Sequence, residues 1–224
     1  MHDAPTTAGQ QNTAATQQAT AAGLVVPAAS GTARVGVALA IPQPWGSQLD
    51  RHRAESGDPL APYIPAHVTL LGPTDVAGDA LPAIEAHLER VAAQHRPYPI
   101  HLRGTGTFRP VTEVVFVAVA RGISECEQLA GAVRSGPLDR RLQYPYHPHV
   151  TVAHDIPASA LDAVYEQLAG FTARFTVTHF TLYVHGVDGQ WRPVRDFPLG
   201  GAADGPVRQA AGPDRSPSGP GTDR

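Results

Sequence analysis

Hydrophobic and polar positions along the chain change their period between two and about 3.6, which predicts a mixture of strands and helices. Alternating or valine-rich segments, often bounded by Pro and Gly, predict strands. These strands are expected at 34–42, 65–73, 98–108, 112–120, 147–154, 173–186 and 190–199. An Asp188-Gly189 turn is expected between the last two.

Four segments with apolar residues on one face predict helices. Asp79 is a candidate N-cap with Pro82 in the first turn, and Ser124 with Glu127 forms a candidate capping box. Gly136 and Gly170 follow the third and fourth of these patterns as stop signals. The helices are expected at 45–55, 79–95, 124–133 and 158–168.

Each half of the chain thus supplies strands, helices and one His-Val-Thr strand, which predicts an α+β fold of two similar lobes facing across a cleft. Residues 1–33 and 201–224 are rich in small and polar residues and are expected to be disordered tails. The folded domain is therefore expected at 34–200.

Composition narrows the possible chemistry. The chain contains no lysine, so all 17 basic residues are arginine, and this excludes a P-loop lysine, a Schiff base and a lysyl-adenylate intermediate. Residues 34–200 carry 14 Arg against 16 Asp plus Glu, a balance that predicts no extended nucleic-acid surface. A small phosphorylated substrate, or only the end of an RNA, fits this balance better.

Cys126 is the single cysteine and lies in a helical pattern, so it is expected to be a small, half-buried hydrophobic residue rather than a nucleophile. The amino-terminal stretch lacks the features of a secretory signal, and no apolar run is long enough to span a membrane. We therefore expect a cytoplasmic monomer.

The triplet His-Val-Thr occurs twice, at His67 and, 82 positions later, at His149. Residues i and i+2 of a strand face the same way, so each His lies beside its Thr while the aliphatic neighbours face the core. With 11 His in the chain, roughly one His-x-Thr is expected by chance. A third His-x-Thr, at 179–182, illustrates this risk.

Two imidazoles that share a cleft suit the opening of a cyclic phosphodiester. One neutral His can take a proton from the attacking water while the other, protonated, donates to the departing ribose oxygen. The two Thr hydroxyls can donate to the non-bridging phosphate oxygens. This chemistry needs neither a metal nor a cofactor, and the sequence does not say which His is the base.

HVTLLGP at 67–73 and PHVTVAH at 148–154 resemble the two signatures of the two-histidine (2H) phosphoesterase superfamily, specifically its 2′-5′ RNA ligase-like branch. The resemblance covers about 35–199. It places His179 where the family has a plain strand, which implies a structural role for the third His-x-Thr. It implies a bilobal, pseudo-two-fold fold of two antiparallel-sheet lobes with flanking helices. It also implies hydrolysis of 2′,3′-cyclic phosphates at RNA 3′ ends or in cyclic nucleotides, and catalytic roles for His67, Thr69, His149 and Thr151.

Further candidates for substrate binding carry a weaker signal. Arg140 and Arg141 precede the second motif and could donate to phosphate. Phe108 and Tyr146, with Tyr144, could stack on a base.

Two other functions are compatible with the sequence. A metal-dependent hydrolase could use His67, His147, His149 and His154, although His154 is an odd number of residues from the others and is expected to point elsewhere. A non-catalytic module that binds nucleotides or RNA ends would keep the same cleft.

Overall fold

A computed structural model describes residues 31–200. Within this range the chain forms eight strands and four α-helices. They are β1 (Thr32–Ala40), α1 (Trp45–Glu55), β2 (His67–Ala77), α2 (Leu81–Gln94), β3 (Tyr98–Thr107), β4 (Val114–Arg121), α3 (Ile123–Val133), β5 (His149–His154), α4 (Ala158–Gln167), β6 (Thr172–Val177), β7 (His179–His185) and β8 (Trp191–Pro198). The first strand begins two residues before the predicted domain start, and the rest of both predicted tails lies outside the described residues.

The strands form two four-stranded antiparallel sheets, which confirms the predicted α+β class. The terminal sheet has the order β2-β1-β7-β8, and the central sheet has the order β5-β4-β3-β6. The two sheets therefore do not divide at the middle of the chain, as two consecutive halves would. The first two and last two strands of the described range build one sheet, and the four strands between them build the other.

Two predicted helix caps are wrong, although their helices form. A short 3-10 turn, Gly78–Ala80, precedes α2, and Asp79 makes no capping hydrogen bond. Helix α3 begins directly after Gly122, whose φ of 94° turns the chain out of β4. Ser124 consequently lies inside the first turn, where its hydroxyl accepts a hydrogen bond from Gln128 instead of capping the helix.

The aliphatic residues between and after the paired His and Thr anchor both motif strands in the core. Val68, Leu70, Val150 and Val152 are fully buried, while the neighbouring His and Thr are half-buried. Burial of each aliphatic side chain contributes about 1.5–3 kcal/mol. Cys126, expected to be half-buried, is fully buried in the same core.

None of the helices within residues 31–200 is both long and apolar enough to cross a lipid bilayer.

Candidate active site

The two His-Val-Thr strands meet where the sheets adjoin, because β2 of the terminal sheet contacts β5 of the central sheet. His67 opens β2 and His149 opens β5. Both line one open cavity of about 240 Å³, together with Thr151. Thr69 lines an adjoining cavity of about 210 Å³ that shares His67 with the first. The structure therefore brings together the four residues predicted from the paired motifs.

Both imidazoles are held by the same local hydrogen bond. Nδ1 of His67 lies 2.8 Å from the carbonyl oxygen of Pro65, and Nδ1 of His149 lies 2.7 Å from that of His147. A carbonyl can only accept, so Nδ1 must carry the proton in each ring. In the neutral rings this leaves Nε2 as the free base, and within residues 31–200 neither Nε2 has a hydrogen-bond partner.

The surroundings favour the neutral form of both rings. Loss of hydration, assisted by the nearby charges of Arg53 and His149, lowers the pKa of His67 to about 4, although the bond to Pro65 opposes this shift. Loss of hydration also lowers the pKa of His149. Such a pair is poised for proton transfer once a ligand anion stabilises one imidazolium.

The two motif hydroxyls remain available. Thr69 and Thr151 are half-buried. Within residues 31–200 neither hydroxyl is a fully buried atom that lacks a hydrogen-bond partner. Each lines a cavity beside one of the two histidines. Both can donate to an anion between the rings.

Strand alternation predicted that His154 points away from the site. This prediction is wrong, because His154 faces the cleft. Strand β5 carries one extra residue between Thr151 and Ala153, where β4 places Phe116 and Val115 next to each other. This bulge returns His154 to the cleft face, where it lines the cavity of His67 and His149. Strand β2 has the equivalent bulge between Thr69 and Leu71.

Aromatic rings fix the position of His149. Phe108 meets its ring edge-on at a centroid distance of 4.9 Å, and the Phe116 ring lies at 5.1 Å. Gly106 pairs with Phe116 across the sheet, and a Cβ at Gly106 would lie 2.5 Å from that ring. A glycine is therefore required here for Phe116 to reach His149. Phe108 lines the cavity, so one predicted substrate-contact residue lies in the site.

Arg53 is a site residue that the sequence did not reveal. It lies near the end of α1, lines the cavity with both histidines and is 4% exposed. Its Nε donates to Oδ2 of the equally buried Asp58 at 2.8 Å, and Oδ1 of Asp58 accepts the Leu60 N–H. Because Nε alone is used, the terminal guanidinium nitrogens remain available to an anion. The sequence signal was an Arg and an Asp five positions apart, which is common on protein surfaces.

Other predicted binding residues lie outside the two cavities. Nη1 of Arg140 donates to the carbonyl of Pro73 and to the hydroxyl of Thr74. The Tyr146 hydroxyl donates to the Thr69 carbonyl at 2.8 Å, and Arg134 packs over its ring. Arg140 and Tyr146 thus tie the segment before β5 to β2, whereas Arg141 and Tyr144 are exposed.

No group of three or more His, Cys, Asp or Glu side chains within residues 31–200 is arranged to hold a metal ion. His147 stacks against His149 at a centroid distance of 6.1 Å.

Residues 41–189, well over half of the chain, match the family model described as the 2′-5′ RNA ligase superfamily. The chain belongs to the 2′-5′ RNA ligase superfamily. This agrees with the resemblance carried by the paired motifs, and the chain is a member of a family of phosphoesterases.

Relatives and solved structures extend this family assignment. A candidate phosphoesterase of Geobacillus kaustophilus is 28% identical over 140 residues, which is 62% of this chain and 80% of the relative. A second candidate phosphoesterase, from Geobacillus sp. WCH70, is 29% identical over 140 residues, which is again 62% of this chain and 80% of the relative. E. coli LigT complexed with 3′-AMP superimposes with a TM-score of 0.57 at 22% identity, covering 75% of this chain and 99% of LigT. The structure of TT0787 of Thermus thermophilus superimposes with a TM-score of 0.51 at 23% identity, covering 75% of this chain and 99% of TT0787. These two structures share the fold.

The lowered pKa of His67 predicts a pH dependence of stability. Between pH 6.5 and about 4 the unfolded chain protonates this ring while the folded protein does not, so stability falls as pH falls through this window. The contribution is roughly 3 kcal/mol, because the pKa of His67 falls from 6.5 to about 4 on folding. Denaturant unfolding at several pH values should therefore show a shallower acid loss for His67→Asn than for the wild type. The exposed His179→Asn is the control, and identical pH slopes for all three proteins would contradict this assignment.

Proposed function

We propose that this protein is a metal-independent phosphoesterase that hydrolyses 2′,3′-cyclic phosphates of RNA ends or nucleotides. The observation that carries the proposal is the matched pair of Nδ1–carbonyl hydrogen bonds, which leaves two Nε2 atoms free at one cavity. Such a pair can accept and deliver one proton each during a single displacement at phosphorus. Membership of the 2′-5′ RNA ligase superfamily supports the same chemistry.

In the proposed step, water attacks phosphorus and gives its proton to Nε2 of one histidine. The bond between phosphorus and one ribose oxygen breaks, and that oxygen takes a proton from Nε2 of the other histidine. One P–O bond forms and one breaks, so the product is a ribose phosphomonoester. Exchange of protons with solvent then restores both rings.

We assign the base to His67 and the acid to His149. The charge of the Arg53 guanidinium lowers the pKa of His67, because it disfavours the imidazolium and favours the neutral ring. Arg53 is not among the groups that shift the pKa of His149. A base must be neutral when water attacks, and His67 meets this condition down to about pH 4. His149 would receive its proton when the anionic substrate enters and stabilises the imidazolium.

Arg53 and the two threonines are proposed to hold the phosphate. Arg53 is anchored through Nε by Asp58, so its remaining donors are oriented before the substrate arrives. Thr69 and Thr151 approach from the two lobes and would donate to the non-bridging oxygens. The added charge on these oxygens in the transition state strengthens all three contacts.

The adjoining cavity is proposed to take the nucleobase of the terminal nucleotide. Its floor contains Gly36 and Ala38, and Tyr183 and Trp191 form part of its wall. Flat aromatic walls and small floor residues suit a stacked base. The structures of LigT with 3′-AMP and with NADP⁺ show that a protein of this fold binds nucleotides, which supports a nucleotide ligand here.

The first experiment compares the wild type with His67→Ala and His149→Ala on the 2′,3′-cyclic mononucleotides in EDTA. We expect each substitution to lower kcat by about 10²- to 10⁴-fold, the usual contribution of one acid or base. His179→Ala is the control, because His179 is exposed and lies in neither cavity.

Two other outcomes of this experiment would each favour a different function. Activity that disappears with EDTA and returns with a divalent cation would favour the metal-dependent hydrolase. Tight binding of an unchanged cyclic nucleotide would favour the non-catalytic module.

The pH dependence of turnover tests the two roles. The value of kcat/KM should fall below the pKa of His67, about 4, because the base becomes protonated. It should also fall above the pKa of His149, which is lowered below 6.5, because the acid loses its proton. The kcat/KM optimum is therefore expected in mildly acidic solution, and the kcat optimum at higher pH because the bound phosphate stabilises the imidazolium. A kcat/KM that still rises at pH 8 would refute this assignment.

The role of Arg53 can be tested without leaving a buried charge unpaired. Arg53→Gln combined with Asp58→Asn removes both charges, and such neutral replacements of buried pairs are often tolerated. We expect the double variant to fold and to lose about 10²-fold in kcat/KM, as for removal of one transition-state donor. The matched control is Arg34→Gln with Asp75→Asn, which removes an exposed ion pair between β1 and β2. Near-wild-type turnover of the folded Arg53 variant would exclude a role in phosphate binding.

A further inference from the structure

The cleft face of the central sheet extends well beyond the two histidines. His149 of β5 pairs with Ala118 of β4, and Ala120 follows on the same side of β4. Ala118 is half-buried and Ala120 is exposed. These small side chains leave an open floor that leads from His149 toward β3 and β6.

A basic cluster of His101, Arg103, Arg121 and Arg174 lies at the far end of this floor. His101 of β3 pairs with Arg121 of β4 on one side and with Arg174 of β6 on the other. Directly paired residues project to the same face of a sheet. A bulge in β4 between Val119 and Arg121 brings Arg121 to the face of Ala118 and Ala120. The buried neighbours of His101 on β3, Ile100 and Leu102, face the core, so the cluster projects to the cleft face that carries His149.

The three arginines of the cluster are exposed and unpaired. Within residues 31–200 none of them forms a salt bridge, whereas five other arginines pair with carboxylates. The cluster borders an open groove of about 560 Å³, lined by seven described residues of β3, β4 and β6, none of them acidic, among which are His101, Arg121, Arg174 and Phe175. Three unpaired like charges repel one another, so the arrangement is unfavourable unless an anion binds there.

The positive charges of the cluster act on His101, which lies between Arg121 and Arg174 in the sheet. Its Nε2 lies 3.0 Å from the hydroxyl of Thr172 on the same face. Loss of hydration and the charges of Arg174, Arg103 and Arg121 lower the pKa of His101. The positive potential of the groove therefore comes from the arginines, and the neutral His101 can add a hydrogen bond.

We propose that the basic cluster binds the phosphodiester backbone of single-stranded RNA on the 5′ side of the terminal cyclic phosphate. The inference rests on the proposed function, and it selects RNA ends over free cyclic mononucleotides as substrates. Exposed arginines along an open groove suit backbone phosphates, which carry charge but no sequence information. The substrate is therefore recognised by charge and strand flexibility, not by sequence.

The spacing between the two sites fits a short strand. From His149, two strand spacings and three residues along β4 place His101 about 14 Å away, and β6 places Arg174 about 18 Å away. A few nucleotides span this distance. The terminal base would lie in the cavity of the terminal sheet, the cyclic phosphate between the histidines, and the preceding nucleotides across β4 and β3. Only a short stretch of RNA is contacted, which agrees with the acidic net charge of the chain.

The test compares two substrates, 2′,3′-cyclic AMP and a hexaribonucleotide ending in a 2′,3′-cyclic phosphate. The key variant is Arg121→Gln with Arg174→Gln, because these arginines line the groove. The charge-matched control is Arg51→Gln with Arg90→Gln, two exposed arginines of α1 and α2 that line neither the cleft nor the groove. Arg121→Lys with Arg174→Lys keeps the charge and should retain most of the binding.

We expect the wild type to show a KM about tenfold or more lower for the oligonucleotide than for cyclic AMP at low salt. The Gln variant should raise the oligonucleotide KM by about tenfold. It should also reduce the slope of log kcat/KM against log salt concentration by about 1.4, for two lost phosphate contacts to a single strand. Its turnover of cyclic AMP should be unchanged, and the control variant should behave as the wild type.

An unchanged oligonucleotide KM in the Gln variant, or equal use of both substrates by the wild type, would overturn the proposal. If the wild type hydrolyses neither substrate, the proposed function fails, and the cluster is then tested by binding alone. Fluorescence anisotropy of a labelled hexaribonucleotide with a 3′-phosphate should still show salt-dependent binding that the Gln variant weakens. Equal binding by the wild type and the Gln variant would exclude the cluster as an RNA site.

Discussion

The candidate site depends on one short-range interaction that occurs twice, the hydrogen bond from histidine Nδ1 to the carbonyl two residues earlier. This bond joins His67 to Pro65 and His149 to His147. Because the carbonyl lies in the segment that enters each strand, the backbone itself selects the tautomer and aims Nε2 into the cleft. Within residues 31–200 no carboxylate pairs with either ring, so no such pairing opposes the loss of hydration that makes both rings easy to deprotonate.

The rest of the fold keeps these two backbone segments in place. Fully buried Val68 and Val150 hold the motif strands from behind, and the Phe108 and Phe116 rings restrain His149 from the side. Tyr146 then links the segment before β5 to the carbonyl of Thr69 on the other motif strand. The distance between the two imidazoles is thus set by contacts between the sheets, since each ring is rigid relative to its own strand.

Periodicity predicted the helices and strands because each element buries one face in the core. The two His-Val-Thr motifs predicted the centre of the candidate site because the same alternation buries the aliphatic residues and leaves His and Thr on the cleft face. Prediction from periodicity failed where one extra residue in a strand reverses which face the following side chains point to. The bulge after Thr151 places His154 in the cleft, and nothing in HVTVAH distinguishes this bulge from a regular strand. Arg53 was missed because its role arises from burial and from Asp58, neither of which is visible in a polar helix sequence. Net charge concealed the basic cluster, because a sum over the chain contains no information about which charges adjoin.

The approximate two-fold symmetry of the motifs is broken by the residues around them, and this asymmetry gives the cleft a direction. Ala38 pairs with Thr69 in the terminal sheet, and Phe116 pairs with Thr151 in the central sheet. The small side chain leaves space for the cavity beside Trp191, whereas the large one fills the equivalent space and restrains His149. Arg53 likewise acts on His67, and no described arginine plays this part for His149. Two chemically similar histidines therefore lie in different surroundings, and a bound nucleotide would meet a base-sized cavity on one side and an open, positively charged path on the other. A site with two such unlike sides can bind the two sides of a cyclic phosphate differently, which a symmetric pair of histidines could not do.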